Sequence, residues 1–247
     1  VALRALIFDF DGTIAETERF GHRVAYNEAF AELGMSERWD EATYGNLLAV
    51  AGGRERLEAF FARERPDLGS DDRAALARLV HATKRRRFDA IGPAIAPRAG
   101  VERLVREAEA AGVAVAIATT AAPEGVRAFF SGHPALGAAF RVIAAGDDVA
   151  RKKPAPDVYT LALERLGCEP YDALAVEDSA IGLASARAAG LAVLVTPSGY
   201  TAHESFAGAA AAVSDLGEPA SPSRVLAGPA PPRGYVDLAY AASLLST

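Results

Sequence analysis

The apolar positions of this chain follow two rhythms. Ala5–Phe8, Val113–Ala118, Arg141–Ala144, Leu174–Val176 and Leu191–Val195 are short, nearly continuous apolar runs. Runs of that length without alternation predict strands covered on both faces, as in a parallel sheet. Between them, apolar residues fall on helical stripes. Over 102–111 the stripe is Leu104, Val105, Ala108 and Ala111, and over 156–166 it is Val158, Leu161, Ala162 and Leu166. A third stripe, Ile181, Leu183 and Ala186, ends at Gly190, a residue suited to stopping a helix. Strand alternating with helix predicts an α/β fold with a doubly wound parallel sheet.

From Glu18 to Pro97 the pattern is helical throughout, with no strand-like run. It predicts helices over 18–34, 40–49, 53–64 and 70–90, separated by turn signals at Gly34, Gly52-Gly53 and Pro66-Asp67. A helical block lodged after the first strand predicts a cap domain over 17–96, inserted in a core made of 1–16 and 97–247. The hinges then lie near Ala15-Glu16 and Ala96-Pro97. The segment 217–233, rich in Pro, Ala, Gly and Ser, predicts irregular surface chain, and 235–245 a last short helix. There is no internal repeat.

Composition narrows the function. With 51% hydrophobic residues, the 247-residue chain has enough apolar material for a sizeable core. A net charge of −6 argues against a nucleic-acid binder, which would carry a basic face. The single cysteine, Cys168, allows no internal disulfide and suits a reducing cytoplasm, where it is expected to be inert. No run is long and apolar enough for a membrane span, and no signal-type segment precedes Leu3. A cytoplasmic monomer is expected, without nucleic-acid or membrane partners. Dinucleotide fingerprints and Walker loops are absent, so neither a nicotinamide cofactor nor ATP is implied.

Chemistry gathers where strands stop. Leu6-Ile-Phe-Asp9-Phe-Asp11-Gly12-Thr13 ends an apolar run in two carboxylates on one face, followed by a glycine that permits a sharp turn. Ile117-Ala-Thr119-Thr120 places a hydroxyl at a second strand end. Lys152-Lys153-Pro-x-Pro156-Asp157 sets a cation before a helix, and Val176-Glu177-Asp178-Ser179 ends another strand in a second carboxylate pair. Each motif alone has a plain reading: a solvated pair, a strand-ending threonine, a surface lysine, an N-cap. In an open α/β sheet, however, the carboxyl ends of the strands face one crevice. Two like charges about 4 Å apart repel by roughly 4 kcal/mol at an effective dielectric of about 20. Asp9, Asp11 and Asp178 therefore call for Lys153 and a divalent cation, and oxygen donors with a phosphoryl group favour Mg²⁺.

These four motifs resemble those of the haloacid dehalogenase-like (HAD) phosphohydrolases, in the branch with a helical cap after the first motif. The chain is similar, further, to the CbbY-type sugar-bisphosphate phosphatases. That likeness rests on Glu16-Thr17-Glu18, Gly21-His22-Arg23, Tyr26-Asn27, Trp39-Asp40, Gly52-Gly53-Arg54-Glu55-Arg56, Lys84, Ala145-Gly146-Asp147 and Gly234-Tyr235-Val236-Asp237-Leu238. Arg54 stands where that pattern more often has lysine.

The resemblance implies roles. Asp9 is the nucleophile that forms an aspartyl-phosphate, and Asp11 the general acid and base. Thr119 and the backbone after it, with Thr120, hold the phosphoryl group, and Lys153 offsets its charge. Mg²⁺ is held by Asp9, the main-chain carbonyl of Asp11 and Asp178, with Glu177 in support. In the cap, Arg54 with Gly52-Gly53 is the first candidate for a second phosphate, Lys84 the next and His81 a weaker one, while Glu16 accepts sugar hydroxyls. The rest of Lys84-Arg85-Arg86-Arg87 reads as a solvated helix face. The four histidines lack metal-ligand spacing; His22 is expected to pack or hydrogen-bond near the hinge, and Trp39 and Tyr44 to anchor the cap's own core.

The implied reaction is Mg²⁺-dependent hydrolysis of a phosphorylated sugar, with xylulose-1,5-bisphosphate, an inhibitor of the carbon-fixing enzyme of the Calvin cycle, converted to xylulose 5-phosphate and phosphate. A phosphomutase of the β-phosphoglucomutase kind and a phosphoglycolate-type phosphatase share the core motifs. A non-catalytic binding protein on the same scaffold is the alternative from another class.

Overall fold

The computed structural model describes residues 2–50 and 52–246. By backbone proximity the chain separates into two compact units, Val1–Glu16 with Ala96–Thr247, and Thr17–Ile95.

In the first unit the apolar runs form strands β1 (Ala5–Phe8), β2 (Ala114–Ala118), β3 (Phe140–Ala144), β4 (Ala173–Glu177) and β5 (Ala192–Val195). They join β6 (Ala211–Val213) and β7 (Val225–Ala227) in one sheet of order β3-β2-β1-β4-β5-β6-β7. All pairs are parallel except β6 with β7. The sheet is covered on both faces, which is why its strands carry no polar alternation. On one face, Ala5, Ile7, Ala116, Ala118, Ala173 and Ala175 pack beneath helices at 157–166 and 180–188. Alternate residues Leu6, Phe8, Val115, Ile117, Leu174 and Val176 point the other way and are equally buried. Complete burial of a side chain such as Leu6 or Phe8 is worth about 1.5–3 kcal/mol.

The topology sets the crevice. From β1 the chain moves outward to β2 and β3, then crosses to β4 on the opposite side of β1 and continues to β5 and β6. Strand order reverses between β1 and β4, the place where open α/β sheets leave a cleft beyond their strand ends.

The second unit holds α1 (Arg23–Glu32), α2 (Glu41–Leu47), α3 (Gly53–Glu64) and α4 (Ser70–Ile91). Its core is aromatic: Trp39 lies 4.7 Å from Tyr26, 5.0 Å from Phe30 and 5.0 Å from Phe60 between ring centroids. Asn27 fixes the Trp39 backbone from both sides, donating to its carbonyl at 2.8 Å and accepting from its N–H at 2.7 Å. Asp40 then caps α2 by accepting from Thr43 N at 2.7 Å. Trp39 and Tyr44 are fully buried there, as the sequence led us to expect.

In order along the first unit, the remaining helices are α5 (Val101–Ala110), α6 (Pro123–Gly132), α7 (Pro134–Ala139), α8 (Asp157–Leu166), α9 (Ala180–Ala188) and α10 (Leu238–Ser243). The expected helix over 18–34 is divided, with a π-helical turn at Glu18–His22 before α1. Helices α6 and α7 were not expected; Gly125, Gly132 and Gly137 dilute their apolar stripes, and each instead begins on a proline. The segment 217–233 is not wholly irregular, because β7 lies within it as an antiparallel edge. All three β7 residues are exposed, so no burial pattern marks them. Among the described residues no helix is long and apolar enough to cross a membrane.

Candidate active site

Asp9 follows β1 directly, and its N–H donates to Val176 O at 2.9 Å, tying it to the end of β4. Thr119 follows β2, with its N–H on Ala144 O at 3.0 Å. Glu177 ends β4, and Asp178 comes next. Because Phe8 is level with Ile117 on one side and Val176 on the other, three adjacent strand ends deliver these side chains to one place. Lys153 arrives from the loop before α8, where the Lys153–Pro154 peptide is cis.

The lysine is the hub. Its Nζ lies 2.5 Å from Asp9 Oδ1 and 2.6 Å from Glu177 Oε1, with all three side chains at least nine-tenths buried. Tyr159, in the first turn of α8, donates to the same Glu177 oxygen at 2.6 Å. The other oxygen, Oε2, accepts from Asp178 N at 3.2 Å and from the Ser179 hydroxyl at 3.4 Å. Both oxygens of Glu177 are thus engaged, and its carboxylate lies where a Cβ on Gly182 would fall. That close approach requires glycine in the first turn of α9.

Burial pushes the Asp9 carboxyl up to about 7; Lys153 opposes the shift, while Glu177 and Asp11 add to it. Burial, followed by Asp9 and Glu177, also raises Asp178 well above the usual carboxylate range, against Ser198 and Arg98. For Lys153, burial works against the charged form, but the two carboxylates outweigh it and hold the ammonium protonated.

The site fits a divalent cation. Ligand oxygens of Asp9, Glu177 and Asp178 lie within 4.8 Å of one another, all buried. Three buried carboxylates face one buried ammonium, so negative charge is in excess. The donors are all oxygen, the set hard cations prefer. Gly12 (φ +86°) keeps the space open, since a Cβ there would fall on the Asp178 carboxylate. Glu177 is the least available of the three, its oxygens being already committed.

The other predicted core residues are placed as follows. Asp11 is half-buried on the turn after β1, where its charge reaches Asp9. Thr119 is buried, and its hydroxyl oxygen accepts from Ala121 N at 3.0 Å. Thr120 is partly exposed; its carbonyl is approached so closely by Gly146 that a Cβ there would collide with it. Glu16 pairs with Arg98 at 3.5 Å.

The helical unit holds the rest. Gly52 (φ +90°) caps α3, and a Cβ on Gly53 would meet Tyr26 Oη and His81 Nε2. Arg54 is about half exposed and pairs with Glu55 at 3.3 Å and Glu58 at 3.6 Å. Lys84 is buried, its Nζ 2.8 Å from His22 Nδ1 and over the rings of Tyr26 and Phe88. Burial and, next, Lys84 and Arg85 pull the His81 imidazole down to about 4.

Four supporting residues went unread in the sequence. Tyr159 braces Glu177. Thr201 donates to the Asp178 carbonyl at 2.7 Å and Oδ2 at 3.2 Å, and accepts from Ser198 N at 2.8 Å. Arg98 donates to the carbonyls of Gly12, of Thr196 at 2.6 Å and of Pro197 at 2.8 Å, joining the loops after β1 and β5. A tyrosine soon after Lys153-Pro154 is a weak signal; Thr201, Ser198 and Arg98 carry none, because their partners are distant in sequence.

A carboxylate at the end of β1, paired with a buried ammonium and backed by a second acidic strand end, fits a phosphoryl-transfer hydrolase. The chain belongs to the haloacid dehalogenase-like hydrolase family, whose model matches residues 3–190, and it is a phosphatase of that family. It is similar to the protein CbbY of Rhodobacter capsulatus, 47% identical over 87% of this chain and 94% of that one. The plasmid-borne CbbY of Cupriavidus necator is 44% identical over 89% and 88% of the two chains. Among solved structures, a mutant CbbY from Rhodobacter sphaeroides in complex with xylulose-(1,5)bisphosphate matches with a TM-score of 0.73 and 43% identity, covering 86% of this chain and 94% of that one.

Proposed function

We propose that this protein is a Mg²⁺-dependent sugar-phosphate phosphatase that works through an aspartyl-phosphate on Asp9, with xylulose 1,5-bisphosphate as substrate and xylulose 5-phosphate and phosphate as products. The observation that carries the chemistry is the Asp9–Lys153 contact of 2.5 Å at the end of β1. The substrate rests on the likeness to a CbbY with that bisphosphate bound.

One Asp9 oxygen attacks phosphorus while the bond to the sugar oxygen breaks. Asp11 gives its proton to that leaving oxygen. Asp11 then takes a proton from the water that attacks the phosphorus of the acyl phosphate, and Asp9 is regenerated. Proton transfer of this kind is typically worth about 10²- to 10⁴-fold. Lys153 holds Asp9 in line and balances charge on the transferring group, and Thr119 and Thr120 with the backbone beside them donate to its oxygens. Glu177, held by Tyr159 and Asp178 N, fixes Lys153 in turn. Asp9, the Asp11 carbonyl and Asp178 would hold Mg²⁺, which supplies positive charge against the phosphoryl oxygens.

Choice among phosphosugars is assigned to Glu16, Gly52, Gly53, Arg54, His81 and Lys84. The test is a phosphate-release screen over sugar mono- and bisphosphates, with Mg²⁺ and with chelator. Mg²⁺-dependent release that is fastest from xylulose 1,5-bisphosphate supports the reading. No release from any phosphosugar, or isomerised product without free phosphate, contradicts it.

A further inference from the structure

The segment 196–204 leaves β5 beside the loop that follows β4, with Thr196 N donating to Glu177 O at 2.7 Å. It then folds into a turn closed by its own backbone: Thr201 N donates to Ser198 O at 3.2 Å, and Glu204 N to Thr201 O at 2.9 Å. From that turn two side chains reach the loop after β4. The Thr201 hydroxyl meets Asp178, and Glu204 Oε2 accepts from Ala180 N at 2.6 Å. Arg98 secures the start of the segment, because one guanidinium joins the carbonyls of Thr196 and Pro197 to that of Gly12 on the loop after β1. The two loops that carry the candidate cation ligands are therefore tied to the same segment.

The hydrogen bonds of the Thr201 hydroxyl are directional. Its oxygen accepts from Ser198 N at 2.8 Å, which turns its single proton towards Asp178. That proton is shared between Asp178 O at 2.7 Å and Oδ2 at 3.2 Å. One hydroxyl thus spans the main chain and the carboxylate of the same residue, and restrains rotation of the side chain between them. Ser198 Oγ, 3.0 Å away, backs the hydroxyl from within the turn. A threonine that only stapled its own turn would need the Ser198 N contact alone. The two contacts with Asp178 are additional. Asp178 is buried, so water does not readily replace a donor lost there.

We propose that Thr201 is a positioning residue of the cation site, fixing Asp178 before the cation arrives and so setting the affinity for Mg²⁺. The inference rests on the function proposed above in taking Asp178 as a ligand. A carboxylate already held in place loses less freedom on binding than one that must be ordered, and removing such an outer hydrogen bond typically weakens metal binding by about 10- to 100-fold.

The experiment is calorimetric titration of metal-free, substrate-free protein with Mg²⁺. Wild type is compared with Thr201→Val, which keeps the branched shape without the hydroxyl, and with Thr201→Ser, which keeps the hydroxyl. Thr201→Ala is measured beside them, so that the test does not depend on one variant folding. Loss of the hydroxyl should raise the Mg²⁺ dissociation constant by at least about tenfold, and Thr201→Ser should restore most of the affinity. Glu204→Ala, which loosens the same turn without touching Asp178, should bind Mg²⁺ as wild type does. Mg²⁺ binding by Thr201→Val and Thr201→Ala as tight as in wild type overturns the proposal, even if both melt at a lower temperature without metal. An equal loss in Glu204→Ala also overturns it, since the effect would then belong to the segment and not to the hydroxyl. A wild type that binds no Mg²⁺ ends the functional reading and this inference together, whereas tight binding by every variant ends this inference alone.

Discussion

The Tyr159 hydroxyl donates to Glu177 Oε1 at 2.6 Å, on the same oxygen that Lys153 Nζ approaches at 2.6 Å. A tyrosine on the first turn of α8 thereby helps to aim the lysine that meets Asp9. Tyr159→Phe removes one donor from a fully buried carboxylate and leaves the ring packing intact. The expected loss is about 1.5–3 kcal/mol of stability, the usual worth of a hydrogen bond to a charged group, with kcat reduced more than KM is changed. Urea unfolding and steady-state kinetics check it; unaltered stability would mean that the hydroxyl is dispensable.

Lys153→Met leaves Asp9 and Glu177 buried without their cation. Breaking one side of a buried pair costs about 3–5 kcal/mol. Lys153 opposes the burial-driven rise of the Asp9 carboxyl; without it Asp9 stays protonated to higher pH, so the native state of this variant binds more protons than the wild-type native state. Its deficit relative to wild type should therefore widen from pH 5 to pH 8. A deficit independent of pH would show that the ammonium does not balance these groups.

Metal-free protein should respond to pH through Asp9, which takes up protons near pH 7 when folded instead of near its ordinary 3.8. Between those values the native state holds more protons than the unfolded one. Stability from this group is present below about pH 3.8 and is lost as pH rises through about 7. A divalent cation binds the ionised site and opposes that loss. Mg²⁺ should accordingly raise Tm more at pH 8 than at pH 5.5, and chelator should abolish the difference; an equal shift at both would place Mg²⁺ elsewhere.

Gly12→Ala tests the space in front of Asp178. The backbone there is left-handed (φ +86°), and the new methyl would fall on the Asp178 carboxylate. The strain alone is expected to cost about 1 kcal/mol or more, and the variant should lose its stabilisation by Mg²⁺. A fully metal-responsive Gly12→Ala protein would remove Asp178 from the cation site.

The sheet was legible because strands buried on both faces must be apolar along their length, and Ala5–Phe8, Ala114–Ala118 and the first four residues of Ala173–Glu177 obey that. The polar residues that end them stood out against that background, so Asp9, Thr119 and Asp178 could be read. Lys153 was legible only through its motif, since nothing local fixes its ammonium 2.5 Å from Asp9. Edge strand β7 was hidden because exposed residues show no burial pattern. Arg98 was hidden because it works by donating to carbonyls of chain segments remote in sequence, and a carbonyl carries no mark in a sequence.

The central claim is that Asp9 attacks phosphorus, and Asp9→Asn tests it most directly. Asparagine keeps the shape and removes the nucleophilic carboxylate. With saturating Mg²⁺ and xylulose 1,5-bisphosphate, phosphate release should fall by at least about 10³-fold, while circular dichroism is unchanged and the bisphosphate still binds. Release at a rate near that of the wild type from a homogeneous Asp9→Asn preparation would contradict the account.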